Sequence, residues 1–565
     1  MTVATQYADW AGRPRAVPEA TVRAVLDALG EPSTEAPLTV AREGEPTARG
    51  KPVGDYGDLL VAPRRCPTPP RCWGWTVQLY GVRSRASWGM GDLADLARLA
   101  RTEGAGFLLV NPLHAVAPGL PQEPSPYFPA SRRFMNPLYL AIEELPEVAL
   151  LAPADRAEVL RLGTEARALN DAPLIDRDAI YRAKSAALEL LFRVDAPVRR
   201  RALDEYRDRE GQGLADFAVW SALAERHPGP FQHWPAEVRR PDAPGVARAG
   251  VELADRVTYH AWVQWLCAEQ RAEAQRAARD AGMPVGLIHD LAVGVDPGGA
   301  DAWAQQDVLA QGMTVGAPPD SFNPRGQDWR LPPWRPDRLR AAGYAPFREM
   351  VRAVLADAGG IRVDHAMGLF RLFWVPDGMS PAEGTYVRCP ADDLLGILVY
   401  ECHVAGAIAV AEDLGTVEPG VSATLRANGL LGSKVLWFED APAAAYPVQA
   451  FTSVTTHDLP TARGYWTDER ADPARVRARL VAEGLAGPGA TEDDLVVAAH
   501  AFVARTPSLL AAVGLNDALG DPRQPNLPGT RDEYPNWRLP LPVPLDDLAD
   551  DPLFRRVVAA VRAER

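Results

Sequence analysis

Late in the chain, three apolar runs end in acidic residues at nearly even intervals, and this pattern constrains the fold more than any other feature. They are Gly360-Ile-Arg-Val-Asp364-His365, Ala407-Ile-Ala-Val-Ala-Glu412-Asp413 and Ser453-Val-Thr-Thr-His457-Asp458. Each reads as a buried strand delivering a carboxylate at its C-terminal end. Asp364 and Glu412 are 48 residues apart, and Glu412 and Asp458 are 46 apart, room for a helix and its loops between strands. Strand C-terminal ends are where a parallel α/β barrel assembles its working residues. Three carboxylates meeting there would suit acid-assisted glycoside chemistry.

The rest of the chain supports alternation of strand and helix. Trp75–Tyr80 and Phe107–Val110 read as strands flanking a helix opened by Gly91-Asp92. Further strands are expected at Val285–Asp290, Ile361–Asp364, Ala407–Glu412, Lys434–Phe438 and Phe451–Asp458. Between about 145 and 280 the pattern is helical, with runs at 177–194, 213–226 and 255–281, and we expect a helical insertion there. Residues 1–70 hold one amphipathic helix within 11–30 and then a Pro/Glu/Arg-rich stretch of little apolar periodicity, expected to be a short appendage or linker. The catalytic unit is expected over 71–565, its last part from about 470 mostly helical with a Pro-rich turn region near 521–545.

Several function classes are disfavoured. The net charge of −14 argues against a nucleic-acid partner, which would call for clustered Lys and Arg. The five cysteines are scattered with no CxxC pair, so buried free thiols in a reducing cytoplasm are expected. The N-terminus shows no secretory h-region, and the greasy stretch Leu394–Ala411, broken by Glu401 and His403, reads as a helix running into a strand, so no membrane association is expected. No phosphate-binding glycine loop and no GxSxG elbow is present.

Arg362 and Asp364, two apart on a strand, point to the same face, and a guanidinium beside a carboxylate favours its ionised form. Glu412 at the rim of an apolar wall should hold its proton to higher pH, as a general acid must; Asp413 beside it could cap the following helix. His457-Asp458 can grip vicinal hydroxyls, and His289-Asp290 and Asp364-His365 are further doublets. The doublets raise one alternative, a metal-dependent barrel hydrolase, which lacks an HxH or HExxH pair. Tyr127, Phe128, Trp329, Trp334 and Trp374 fall in expected loops or near strand ends, where rings can stack on sugars, and the long loop at 312–336 has the length of a functional one.

The chain resembles the amylomaltase (4-α-glucanotransferase, disproportionating enzyme) family, especially its bacterial maltodextrin-using branch. The matching segments, in family order, are Ser125-Pro-Tyr127 with Asn136–Tyr139, His289–Val295, Val315–Asp320, Arg362–His365, Ala411–Gly415, Thr456–Thr461, and Asn526–Thr530 with Asn536-Trp-Arg538. The resemblance implies a (β/α)8 barrel with inserted subdomains and a retaining transfer of α-1,4-glucan segments to a glucan or glucose acceptor, with no cofactor and no metal. It implies Asp364 as nucleophile, Glu412 as general acid/base and Asp458 as the third carboxylate. Tyr127, Asp290, Arg362 and His457 match positions lining the sugar subsite beside the scissile bond, and Trp329 is expected at the substrate. An α-amylase-type hydrolase is the nearest alternative. A cytoplasmic enzyme is expected, with a monomer favoured. Larger relatives in that branch carry a more extensive N-terminal domain than the roughly 70 residues found before the barrel here.

Overall fold

The structure, a computed structural model, describes residues 3–101, 104–320, 323–469, 471–530 and 532–565. Eight strands close into a barrel: β1 (Cys72–Val77), β2 (Phe107–Val110), β3 (Gly286–Leu291), β4 (Gly360–Val363), β5 (Ile408–Ala411), β6 (Leu431–Val435), β7 (Ala450–Ser453) and β8 (Leu510–Gly514). Every neighbouring pair is parallel, and β8 closes on β1. Helices such as Leu93–Leu99, Ala345–Leu355, Ala391–Ala405 and Glu492–Arg505 intervene between strands, giving the (β/α)8 arrangement.

The barrel interior is a packed plug. Phe107, Leu109, Ile288, Ile408, Val410, Leu431, Phe451, Leu510 and Ala512 form one buried cluster. Their period of two along each strand marks the inward face. Space is tight: a Cβ on Gly360 of β4 would lie 2.7 Å from Ile408 Cγ1, so only glycine fits at that position of the wall. Parity then dictates what reaches the C-terminal mouth. Above Ile288 on the inward face comes Asp290, above Gly360 comes Arg362, and above Val410 comes Glu412.

Between β2 and β3 lie long helices at Pro153–Arg167, Arg177–Phe192, Pro197–Arg226 and Ala254–Asp280, the third broken at Gly211, whose φ is +60°. In the first 70 residues the helix is Glu19–Leu29, where Val25 and Leu29 are buried. The stretch after it, which shows little periodicity, nevertheless forms a small sheet of Thr39–Arg42, Leu59–Ala62 and Gly54–Asp55. Leu60 and Ala62 join the buried cluster formed with helix Ala391–Ala405. That packing, rather than any local pattern, orders the segment.

Five other expectations need correction. The strand expected at Trp75–Tyr80 lies earlier, at Cys72–Val77. The 312–336 region is not simply a loop: Met313–Ala317 and Gln327–Leu331 are antiparallel strands of a four-stranded sheet with Arg371–Pro376 and Thr385–Arg388. The strand expected at 434–438 lies earlier, at Leu431–Val435. The strand expected to reach Asp458 ends at Ser453, leaving His457 and Asp458 on a loop. The eighth strand, Leu510–Gly514, falls in the stretch expected to be mostly helical. As expected, Leu394–Ala411 is a helix running into a strand, and among the described residues no helix is long and apolar enough to cross a membrane.

Candidate active site

Strand register builds the first half of the site. Asp290 on β3 pairs with Arg362 on β4, and Val363 on β4 pairs with Ala411 on β5. Asp364 and Glu412 therefore each stand one step beyond a matched pair, side by side on the rim. The Arg362 Nη1 atom lies 2.7 Å from both Asp290 oxygens and 3.0 Å from Asp364 Oδ1. Tyr127 donates its hydroxyl to Asp290 Oδ2 at 2.7 Å. Glu412 accepts the backbone N–H of His365 at 2.9 Å and that of Leu414 at 3.0 Å. The residue following Asp364 thus holds the carboxyl of Glu412, so the two acids are fixed relative to each other. His365 does this with a left-handed backbone, φ +46°.

The second half comes from loops. The residues after β7 place His457 Nε2 3.3 Å from Asp458 Oδ2. Asn526 donates its side-chain amide to Asp458 Oδ1 at 2.6 Å and its backbone N–H to His457 O at 3.1 Å. The His457 ring stacks on Tyr127, with centroids 5.0 Å apart and an interplanar angle of 26°, which joins the two halves. Asp290, Arg362, Glu412 and His457 line a cavity of about 70 Å³ at the barrel mouth, together with Gln78 and Asn111, while Asp364 and Asp458 are not among its lining residues. A larger cavity, about 150 Å³, lies among the inserted helices around Tyr181 and Lys184, but it contains none of these acids.

Trp329 approaches from the hairpin. Its ring meets the His365 imidazole edge-on at 5.1 Å. The pairing slips there: Val315 faces Leu331 while Gly316 faces Asp328, leaving Trp329 and Arg330 as a bulge, with Arg330 at φ +59°. A bulge re-aims a side chain, and here it turns the indole toward the rim. Of the other aromatics, Trp374 is buried in the hairpin's sheet, and Trp334 lies beneath Arg132, 4.7 Å from its guanidinium carbon. Trp374 is therefore closed to a ligand, and Trp334 is partly buried with Arg132 over its ring.

Burial governs the electrostatics. It raises Glu412 to about 7, with help from the Asp364 charge and against Arg362. Asp364 is also raised, to about 6: burial outweighs the lowering by Arg362, whose charge is shared with Asp290. The guanidinium was expected to dominate at Asp364 and does not. Asp458 moves the other way. Its surroundings would raise it, but His457 and the Asn526 hydrogen bond hold it below the usual range, and its side chain stays 46% exposed at the rim. His457 is correspondingly raised, because Asp458 outweighs its burial. The rim therefore carries one carboxylate held ionised and a pair of acids that part with their protons in succession.

This has a stability consequence. Unfolded Asp and Glu release protons near 4. The folded pair retains them to about 6 and about 7, so the native state binds more protons in that window and stability falls as pH rises through it. Asp364→Asn, uncharged at any pH, is expected to be more stable than the parent at pH 8, by about 3 kcal/mol for a shift of two units. The advantage should vanish by pH 4. Calorimetry at the two pH values measures it, and a variant less stable at pH 8 contradicts the assignment.

Two expected roles do not materialise. The His/Asp doublets do not act as a set of His ligands: Asp290, Asp364, His365, His457 and Asp458 meet at the rim, but His289 has the opposite parity to Asp290 and is buried away from it. Asp413 caps no helix: it accepts from Ser433 N and Ser422 Oγ, each at 2.8 Å, and the next helix starts only at Val421. Asn526 and Trp537 lie at the site without having been singled out, although both fall within motifs that carried the resemblance. Trp537 packs against Tyr127 and His457.

A family profile described as 4-alpha-glucanotransferase matches residues 77–545. The 4-alpha-glucanotransferase of Mycobacterium bovis is 49% identical over 544 residues, covering 87% of this chain and 75% of that one. That of Haemophilus influenzae is 32% identical over 550 residues, covering 86% and 78%. The crystal structure of amylomaltase from Corynebacterium glutamicum superposes with a TM-score of 0.88 at 34% identity, over 99% of this chain and 98% of that one. With a matched profile over most of its length and relatives this similar, the chain belongs to the 4-alpha-glucanotransferase family.

Proposed function

We propose that this rim moves α-1,4-glucan segments from a donor maltodextrin to the 4-hydroxyl of an acceptor glucan or glucose, with Asp364, Glu412 and Asp458 as its three acids. Asp364 attacks the anomeric carbon. As the C1–O bond breaks, Glu412 passes its proton to the leaving oxygen, and a glucosyl ester forms on Asp364. An acceptor hydroxyl then attacks C1, Glu412 takes up its proton, and Asp364 leaves as carboxylate. Two inversions give retention. Asp458, held ionised by His457 and Asn526, accepts hydrogen bonds from the hydroxyls of the distorted sugar. In this reading Tyr127, Asp290, Arg362 and His457 shape the subsite and Trp329 stacks on the sugar, supported by the Tyr127–Asp290–Arg362 contacts and by the meeting of Trp329 with His365. We place the enzyme in the cytoplasm as a monomer, a setting that suits its five free cysteines.

The observation that carries this reading is the coupling of Glu412 to the strand of Asp364: one carboxyl is hydrogen-bonded by the residue after the other, and burial raises both acids. A sugar complex should show the two carboxyls about 5–5.5 Å apart, the retaining separation.

Incubation with maltotriose tests the activity. Transfer yields glucose plus a ladder of longer maltodextrins with little gain in reducing ends. A steady rise in reducing ends indicates hydrolysis, and an unchanged substrate indicates binding alone.

The pH profile follows from the same pair. The reaction needs Asp364 ionised and Glu412 protonated. kcat/KM is expected to rise as pH passes about 6 and fall as it passes about 7, giving a narrow bell. A plateau extending from pH 5 to 9 would rule out these two groups as the titrating pair.

A further inference from the structure

The motif Asn536-Trp-Arg538 has no role in the chemistry above, yet its tryptophan is the most unusual residue near the site. Trp537 has φ +61°, a left-handed backbone that a bulky side chain adopts only at a cost. The surrounding loop imposes that conformation. Trp537 donates its backbone N–H to Pro525 O at 3.0 Å, and Asn536 bridges the loop, accepting from Leu527 N at 2.8 Å and donating to Thr530 Oγ1 at 2.9 Å. Strain of this kind persists where the surroundings over-determine it, and it gathers at functional sites.

What the strain secures is ring placement. The buried Trp537 indole lies 5.4 Å from the Tyr127 ring and 5.4 Å from the His457 ring, tilted 45° and 53° to them, while those two rings stack on each other. Tyr80 closes the far side, edge-on at 6.4 Å. The same loop reaches the other side of the doublet, where Asn526 holds Asp458 and the His457 carbonyl. His457 is thus gripped by its ring and by its backbone from one self-stapled loop.

We propose that Trp537 is a positioning residue: its strained backbone drives the indole against His457 and Tyr127 and so fixes the tilt at which these two meet the sugar. The inference rests on the reading of the site given above. Because the sugar is contacted most closely when distorted, loss of the wall should weaken the transition state more than the ground state.

Trp537→Gly relieves the backbone and removes the ring, Trp537→Leu removes the ring alone, and Trp537→Phe keeps an aromatic face. With maltotriose, the Gly and Leu variants are expected to lose at least twentyfold in kcat with KM within threefold, and Phe to recover at least a third of the parent kcat. A second readout reports ring placement directly. The groups facing His457 are Asp458, Arg362, Asp290 and Tyr127. A ring free to swing away from Asp458 loses that support, so the His457 NMR titration midpoint, assigned with His457→Asn in histidine-labelled enzyme, should fall by at least half a unit in Trp537→Leu. Folded Gly and Leu variants with parental kcat, or an unmoved midpoint, overturn the proposal; if Gly does not fold, Leu decides. His457→Asn separates the two levels of failure. If that variant keeps full activity, the reading of the site is wrong, whereas if it loses activity while the Trp537 variants do not, only this inference falls.

Discussion

Asp364→Asn is expected to lose roughly 10⁴-fold or more in kcat while still binding maltodextrins. The amide is nearly isosteric, so the cavity and the Arg362–Asp290 pair should persist, and the variant should be more stable than the parent at alkaline pH. What disappears is the group proposed to form the bond to the anomeric carbon. A neutral amide oxygen is a poor nucleophile, and water in its place would give hydrolysis rather than transfer. The loss should therefore be the same for every donor, including one with a fluoride leaving group, because attack on carbon is needed whatever departs. Calorimetric titration with an unreactive maltodextrin analogue, run beside the kinetics, separates lost chemistry from lost binding. A variant retaining a tenth of parental turnover would remove Asp364 from the role.

Glu412→Gln should fail in a different and diagnostic way. With maltotriose a loss of roughly 10²–10⁴-fold is expected, the usual contribution of a positioned proton donor. A glycosyl fluoride needs no proton on its leaving group, so formation of the ester on Asp364 should be largely spared. Its resolution should then be slow, since no base remains to take the acceptor's proton. Azide, a nucleophile with no proton to lose, should accelerate turnover of the fluoride at least tenfold in this variant and scarcely in the parent. The product should be the retained α-glycosyl azide. A variant equally impaired on both donors and indifferent to azide would mean that Glu412 is structural.

How far the chain could be read before its fold was known differed from residue to residue. Arg362, Asp364 and Glu412 were legible because a short apolar strand reports its own parity, and one acid at the end of such a strand is conspicuous. Asp458 was expected at a strand end but lies on a loop: β7 stops at Ser453, and the acid is held by Asn526, 68 residues further on. Local patterns do not encode such long-range contacts, which is also why Asn526 and Trp537 escaped notice. β8, Leu510-Ala-Ala-Val-Gly514, has too little β-branching to stand out after the helix Glu492–Arg505, and only barrel closure makes it a strand. The hairpin bearing Trp329 was hidden by its turn-rich sequence, since pairing with Arg371–Pro376 gives it order. The sign of the shift at Asp364 needed depth as well as neighbours. A nearby guanidinium is visible in the sequence, but burial that outweighs it is not.

Trapping the intermediate shows whether Asp364 forms the bond to the sugar. Enzyme treated with a 5-fluoro-α-glucosyl fluoride, which forms its glycosyl ester faster than it releases it, is digested with pepsin at low pH and sequenced by mass spectrometry. One added fluoroglucosyl group, carried by Asp364, is the expected result. An adduct on any other residue, or enzyme that turns the reagent over without ever carrying a sugar, would contradict it.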